Sequence, residues 1–513
     1  MAAAGKSNLI VNLRPRVLWL GEPPPSELGV AAGALGFDLA AVGPDEVDPS
    51  AEDLFAVLIS LNGSESTRAR ARTLRLLNQG ALEYGVLIGL VSDNQTAAVE
   101  LQTLAADTAR VPTDKIRVLV PTVEGFSRIL RAHDSGRAAD RSLIIDPPDE
   151  SAKLSAVDDI LLRRAFNGCT RIVLKEEEPG RSAESHVWRV EVYKENNAFA
   201  CEPFVAKTGR RGDLGLEHNN YRDFVYEYMA FPFRAPLVES RWAEGSSRAV
   251  LVSMFVGRSQ RLDHFLTNAA NPELVISALF TVALGRWRSM GRDVVASVGK
   301  AYVDEQKRGT DSRYPVPAML PSKQSLVRAF RQAKKSSTDA LPPTGLWKIL
   351  SRQKKFAHRV CLAHGDLNVG NVFVRWNAVD TILIDFSHSG RTEPLARDLS
   401  KLDTSIALRA LDGCKEPLAT DVLCKVFSVP LLPPNDLPST HDDGRLGAIR
   451  QIRRHACGEG ISDQEYTTVT ACHLLKFASQ PPSSAKAEDN APSQWERRAA
   501  CYALASRLLC SLT

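Results

Sequence analysis

Apolar and polar positions alternate in two rhythms along the chain. Between residues 14 and 132 short apolar runs at Val17–Leu20, Leu39–Val42, Ala56–Leu61, Val86–Val91 and Ile116–Val120 have the length and flanks of strands. Between them, Ser26–Gly36, Glu65–Tyr84, Thr96–Ala109 and Val123–Ala132 carry helical spacing, with Leu74, Leu77 and Leu82 near one face. Strands that alternate with helices predict a doubly wound parallel sheet, so residues 1–132 read as an α/β domain. Residues 133–155 are rich in Asp, Ser, Arg and Pro and read as a linker, with one strand at Ser142–Ile145.

The pattern then changes. A helix at Val157–Phe166 precedes three runs that read as antiparallel strands, Arg171–Leu174, His186–Tyr193 and Pro203–Ala206. A helix over Leu216–Met229 and an apolar strand at Ala249–Val256, closed by Gly257, complete an α+β stretch at residues 156–256. Residues 257–513 are mainly helical in spacing, at Leu262–Leu266, Pro272–Trp287, Gly444–Gly458, Asp463–Phe477 and Ser493–Leu512. Arg292–Trp347 is less regular, Asp412–Ser439 reads as a helix and a Pro-rich turn, and Ser479–Pro492 is a polar loop.

Composition narrows the function classes. A chain of 513 residues has room for two or three domains, and 44% hydrophobic with 24% charged residues is ordinary for a soluble globular protein. The net charge of +4 is small for this length, and no basic run is interleaved with aromatics, so nucleic acid is not an expected partner. The basic run Arg68-Ala-Arg-Ala-Arg72 reads as the solvated side of a helix. The nine cysteines show no C-x-x-C pair and no metal-ligand spacing, which suits buried thiols in a reducing cytoplasm. The N-terminus has no long apolar core, so no signal peptide is expected, and the longest apolar stretch, Leu274–Leu284, falls short of the ~20 residues that cross a bilayer.

The stretch with chemistry is Cys361–Asp385, CLAHGDLNVGNVFVRWNAVDTILID. His364-Gly365-Asp366 tips a tight turn, Val372–Val374 is a short strand, and Thr381–Phe386 is a second strand carrying Asp385. The turn Trp376-Asn377-Ala378 makes the two strands a hairpin, with Asp366, Asn368, Asn371 and Asp385 on one rim. Each residue alone could be turn or cap chemistry. Together they fit phosphoryl transfer. Asp366 would accept the proton of an attacking hydroxyl, and the Asn371 amide and Asp385 carboxylate would hold Mg²⁺ against a triphosphate.

Asp366 and Asn371 stand five apart, the spacing of the kinase catalytic loop, and Asp385-Phe386-Ser387 stands where a D-F-G motif belongs. With H-G-D in place of H-R-D, the unit resembles the aminoglycoside phosphotransferase and choline kinase branch of kinase-like folds. The resemblance implies an α+β bilobal kinase-like domain that binds ATP and Mg²⁺, with residues 156–256 as N-lobe and 257–513 as C-lobe. It also implies further site residues. Phe204-Val205-Ala206-Lys207 is similar to the V-A-I-K strand, so Lys207 would reach the phosphates, or else be a solvated strand-end lysine. Glu217, on a stripe with Tyr221, Phe224 and Tyr228, would pair with Lys207, or serve as a first-turn acid at the helix dipole. Glu227 is the other candidate, although Asn220, Asp223 and Arg234 place it on a wetter face. Pro179-Gly180-Arg181-Ser182 would lie over the phosphates, where Ser182 could donate, although the loop has no G-x-G-x-x-G and also reads as an ordinary hairpin turn. Asp398 would tether the helix that follows the metal loop, and His388 reads as a structural or surface residue. In such kinases insertions like Arg292–Trp347 shape acceptor choice.

The N-terminal domain resembles a response-regulator receiver without its site. The third strand ends Ile59-Ser60-Leu61-Asn62 with no carboxylate, Glu22 alone represents the acidic pair, and Val120-Pro121 replaces the lysine. Only Ser92 fits the hydroxyl position. Without carboxylates there is neither an Mg²⁺ cage nor a phosphoacceptor, so residues 1–132 read as an interaction module for a partner protein. Two functions follow. One is an ATP- and Mg²⁺-dependent kinase for a hydroxyl acceptor of unknown identity, probed by turnover. The other is a catalytically weak nucleotide-sensing module whose receiver-like domain docks a partner.

Overall fold

The computed structural model describes the chain from residue 16 onward, apart from residues 52, 62–65, 112, 133–136, 148–153, 180–184, 194–202, 269–270, 308–317, 337–338, 376–379, 409–419, 434–443 and 481–491. Two compact units form. The first comprises residues 1–215 and 237–255, and the second residues 216–236 and 256–513.

In the first unit, β1 (Arg16–Leu20), β2 (Asp38–Ala41), β3 (Leu54–Ser60), β4 (Leu87–Val91) and β5 (Ile116–Leu119) form a parallel sheet of order β2-β1-β3-β4-β5. β3 and β4 are buried at every position, as apolar runs without alternation require when helices cover both faces. Ser26–Ala34 and Val123–Ala132 pack with Trp19, Phe55 and Leu87 on one face, and Ser66–Asn78 and Gln95–Ala109 with Leu18, Ile59 and Ile88 on the other. The expected helix Glu65–Tyr84 stops at Asn78, and tight turns bring the chain into β4.

The second sheet of this unit has the order β10-β11-β9-β8-β7-β6. Its strands are β6 (Ile144–Asp146), β7 (Arg171–Pro179), β8 (His186–Tyr193), β9 (Phe204–Arg210), β10 (Ala243–Glu244) and β11 (Arg248–Met254). β6 comes from the stretch read as a linker and adds parallel to β7. β7 runs five residues past its expected end, in part because Lys175 pairs with Glu191 across the ladder at 2.6 Å. β9 continues to Arg210, so Lys207 stands in mid-strand opposite Leu251 and Val187 and is not the strand-ending residue of the sequence reading.

The two sheets of the first unit are joined by charges with little access to water. Arg164 donates to the carbonyls of Glu83, at 2.8 Å, and Glu244, at 3.0 Å. The Glu244 carboxylate takes Lys115 at 3.1 Å and Arg211, and Arg211 also reaches Asp114 at 3.4 Å. Burial raises the pKa of Glu244, but Lys115 and then Arg211 overcome it and bring the value from 4.5 to about 2. A folded-state value below the ordinary one stabilises the folded form above pH ~4.5, and the benefit fades as pH falls towards 2. The shift corresponds to about 3 kcal/mol near neutrality. Glu244→Gln is therefore expected to destabilise the chain by about that much at pH 7, the gap to the parent narrowing as pH falls from ~4.5 towards ~2. Thermal melts of both proteins across this range check it. A gap that stays constant with pH would contradict the assignment.

The second unit opens with residues 216–236 and resumes at β12 (Ser259–Arg261). Two three-stranded sheets follow. One has the order β12-β15-β16, with β15 (Val372–Arg375) and β16 (Thr381–Leu383). The other has β13 (Arg292–Ala296), β14 (Phe356–Ala363) and β17 (Gly390–Pro394). Arg292–Trp347 is more regular than its composition suggests. After β13 it holds helices Val298–Lys307 and Val327–Ser336, and Pro343–Arg352 starts within it. Helix Ala396–Leu408 follows β17, and Gly444–Gly458, Asp463–Ser479 and Pro492–Cys510 close the unit near their expected bounds. Ala396–Leu408 is buried at every position but Lys401, which is half-buried, so each of its charges needs a partner. Asp403 takes Arg453 at 2.8 Å and the Tyr466 hydroxyl at 2.7 Å. Among the described residues no helix is long and apolar enough to cross a membrane, and the cysteines there are free thiols.

Candidate active site

β14 delivers the chain into the His364-Gly365-Asp366 turn, and three contacts set that turn. The backbone N–H groups of His364 and Gly365 donate to the two Asp398 oxygens at 2.8 and 2.9 Å, the tether expected of Asp398. The imidazole Nε2 of His364 lies 2.9 Å from the carbonyl oxygen of Ile384, tying the turn to the end of β16. Gly365 has φ +78°, and a Cβ there would run into the carbonyl oxygen of His388. Both conditions admit only glycine, which gives a steric reason for H-G-D in this chain.

Asp366 follows, buried. The Asn371 side-chain amide donates to the Asp366 carbonyl oxygen at 3.0 Å, leaving its own Oδ1 on the other side of the amide. Asn368 does not project from the rim as expected. Its Nδ2 turns back to the Asp366 carbonyl, at 3.0 Å, and to Oδ2, at 3.1 Å, and its Oδ1 takes the Gly370 N–H at 3.0 Å. The hairpin puts Asp385 next to Asn371: β15 and β16 pair from Val372↔Leu383 to Val374↔Thr381, and Ile384 N–H donates to the Asn371 carbonyl at 3.1 Å. The turn Trp376-Asn377-Ala378 lies outside the described residues. Asp385 has φ +63°, a left-handed conformation that aspartate tolerates better than most residues, and its Oδ1 accepts from Ser387 Oγ at 2.9 Å. Asp366, Asn371 and Asp385 thus come together in the second unit. An amide oxygen and a carboxylate are hard oxygen donors, a set suited to Mg²⁺, which keeps waters and substrate phosphates as its other ligands.

Sequence reasoning did not single out the ammonium that faces the base. Lys401 Nζ lies 2.7 Å from Asp366 Oδ1. Burial alone would raise the Asp366 pKa, but Lys401 holds the carboxyl far below the usual range. Burial, and after it the Lys476 ammonium, pushes His388 down to about 4, so this imidazole is neutral near pH 7 and Lys401 is the cation that matters. His388, read as a structural or surface residue, is half-buried, and the charges around it include Asp366 and Asp385. Asn220 is a second omission. Assigned to a wetter face, it is buried and donates to the carbonyls of Phe386 and Ser387 at 3.0 and 3.1 Å, which fixes the backbone after Asp385. The only local hint of Lys401 was a charge one turn after Asp398 on a helix otherwise buried. Asn220 had none.

The remaining candidates divide between the units. Lys207 is half-buried on β9 of the first unit, and Glu217 is buried in the second. Glu227 is exposed, as its neighbours suggested, and Ser182 lies outside the described residues. Along the parallel sheet of the first unit, Ser60 and Ser92 are buried at the ends of β3 and β4, and Glu22, after β1, is exposed. Ser92 Oγ accepts from Asn94 N–H at 3.1 Å, next to the Asn94 cap of helix Gln95–Ala109.

No family model matches this chain, and no curated protein matches its sequence. Solved structures with a similar course of chain include an ethanolamine kinase of Plasmodium vivax, at 10% identity and TM-score 0.34, covering 67% of this chain and 83% of that one. An amicoumacin kinase in complex with AMP-PNP, Ca²⁺ and amicoumacin gives 12% and 0.32, over 64% and 87%. An aminoglycoside phosphotransferase of Streptomyces rimosus gives 13% and 0.29, over 58% and 98%. Scores of this size carry no functional argument, which rests on the site.

Proposed function

We propose that the chain is an ATP- and Mg²⁺-dependent phosphotransferase that acts on a hydroxyl acceptor. The observation that carries this reading is the buried Asp366 carboxylate held on one backbone frame with the Asn371 amide and the Asp385 carboxylate. In this reading Asp366 orients the acceptor hydroxyl and takes its proton, and Lys401 keeps that carboxylate ionised and aimed. Asn371 and Asp385 would hold Mg²⁺, which when bound neutralises charge on the triphosphate. Asn368 and Asn220 hold the loops on either side. Lys207 and Glu217 carry the phosphate-clamp roles by sequence position, and Ser182 the loop over the phosphates. Residues 1–132 serve as a docking module for a partner protein, since the buried end of β3 offers Ser60 and no carboxylate to a phosphoryl group.

The test is the metal dependence of nucleotide binding. Asp385→Asn removes the one charged ligand for the divalent ion, so Mg·ATP affinity should fall at least about tenfold while ATP binding in excess chelator stays as in the parent. Calorimetric titrations with and without Mg²⁺ give both numbers. The same Mg²⁺ dependence in mutant and parent would remove the metal role.

A further inference from the structure

Beside Asp366, two polar groups of the second unit have no partner among the described residues. Helices Ala396–Leu408 and Asp463–Ser479 pack along one seam, with Ser400 Oγ 2.9 Å from Thr470 Oγ1 and His473 Nε2 3.2 Å from the Arg397 carbonyl. Lys476 is one turn beyond His473 on the same stripe, half-buried, and among the described residues its ammonium has no hydrogen bond and no ion pair. His388, on the loop crossed by Gly365, has a buried Nδ1 that likewise finds no partner among the described residues. A sheltered ammonium and a sheltered ring nitrogen without partners cost stability that an oxygen-rich ligand would return.

The charges around this spot say what kind of ligand fits. Lys476 feels Lys401, Asp366, Arg397 and Glu305. Asp366 is engaged by Lys401, Arg397 is paired with Glu393, and burial before all else pushes the Glu305 carboxyl up. Burial, and then the Lys401 ammonium, brings Lys476 down to about 8, the behaviour of a cation short of anions. Asp366 feels both His388 and Lys476, and His388 feels both Lys476 and Asp366. Lys476 and His388 therefore share the neighbourhood of the base.

We propose that the acceptor is a hydroxyl compound bearing an anionic group, a carboxylate or a phosphate, seated on Lys476 and His388 beside Asp366. The inference rests on the phosphotransferase reading and adds the acceptor class. The acceptor oxygen bonds to the γ-phosphorus of ATP as the bond from that phosphorus to the β,γ-bridging oxygen breaks. ADP leaves with that electron pair, and the hydroxyl proton goes to the Asp366 carboxylate. The anionic group holds the hydroxyl in place and takes no part in bond making.

The test uses the full chain with Mg·ATP and three acceptor pools sorted by charge: hydroxy acids and sugar phosphates, neutral sugars and nucleosides, and amino alcohols with aminoglycosides. Turnover is expected with the anionic pool. Lys476→Met should raise the acceptor KM by about 10–100-fold, far more than it changes ATP affinity, and Lys476→Arg should recover most of the loss. Turnover of neutral or cationic acceptors alone, indifferent to Lys476→Met, would overturn the acceptor class and leave the phosphotransferase reading standing. A chain that binds Mg·ATP but phosphorylates nothing would sink that reading. The anion seat is then judged by titrating inorganic phosphate and glycerate into parent and Lys476→Met. Binding that the substitution weakens supports the seat, and absent or equal binding rejects it.

Discussion

Asp366→Asn should bind Mg·ATP with nearly parental affinity and lose about 10²–10⁴ in the rate of phosphate transfer. The substitution is close to isosteric, and the surroundings accept it. The carbonyl oxygen of residue 366 keeps its bonds from Asn368 and Asn371, since both are made to the backbone. The new amide can turn its oxygen to Lys401, while the Asn368 contact to Oδ2 is remade. What disappears is a basic oxygen for the acceptor proton, a loss felt in the transition state and not in ground-state nucleotide binding. Single-turnover transfer and calorimetry on the same preparations separate the two. Parent-like transfer in the mutant would show that this loop is not the catalytic one. A parent that binds Mg·ATP and transfers nothing, even to water, would favour a nucleotide-sensing module.

How much of this was legible in the sequence depended on how local the signal was. Asp366, Asn371 and Asp385 lie within one strand-turn-strand unit, so spacing and strand alternation were enough to place them together. The parallel sheet was equally readable, because apolar runs as continuous as β3 and β4 have few other uses. Lys401 and Lys476 come from helices 35 and 110 residues after Asp366, and beyond the place of Lys401 one turn after Asp398 nothing in either helix distinguishes a site lysine from a solvated one. Lys207 was misplaced within its strand because Gly209 and the charges around it look like a strand end. β11 supplies the pairing that carries β9 through them. Pro, Ser and Lys around helix Pro343–Arg352 hid a face where Leu346, Trp347 and Leu350 are buried. Composition reports average polarity, and burial follows the face.

Lys401→Met should cost about 3–5 kcal/mol of stability, and a second change that removes the Asp366 charge should restore much of it. Lys401 and Asp366 form a pair with 17% and 11% side-chain exposure, so neither charge has much water to fall back on. Taking away the ammonium removes the 2.7 Å ion pair and leaves the carboxylate with weaker support. Asn368 offers one neutral N–H to Oδ2, His388 is neutral near pH 7, and Lys476 makes no ion pair with it. A buried carboxylate in that position is penalised far more than the intact pair is rewarded. In Lys401→Met/Asp366→Asn no stranded charge remains, so the double mutant should melt above the Lys401→Met single mutant even though it has lost two polar side chains. Lys401→Arg keeps the charge and should stay near the parent in stability. Melting curves of the parent, the two single mutants and the double mutant form one thermodynamic cycle. Additive losses, with the double mutant the least stable of the four, would mean that the 2.7 Å contact carries no coupling and that Lys401 does not hold the base.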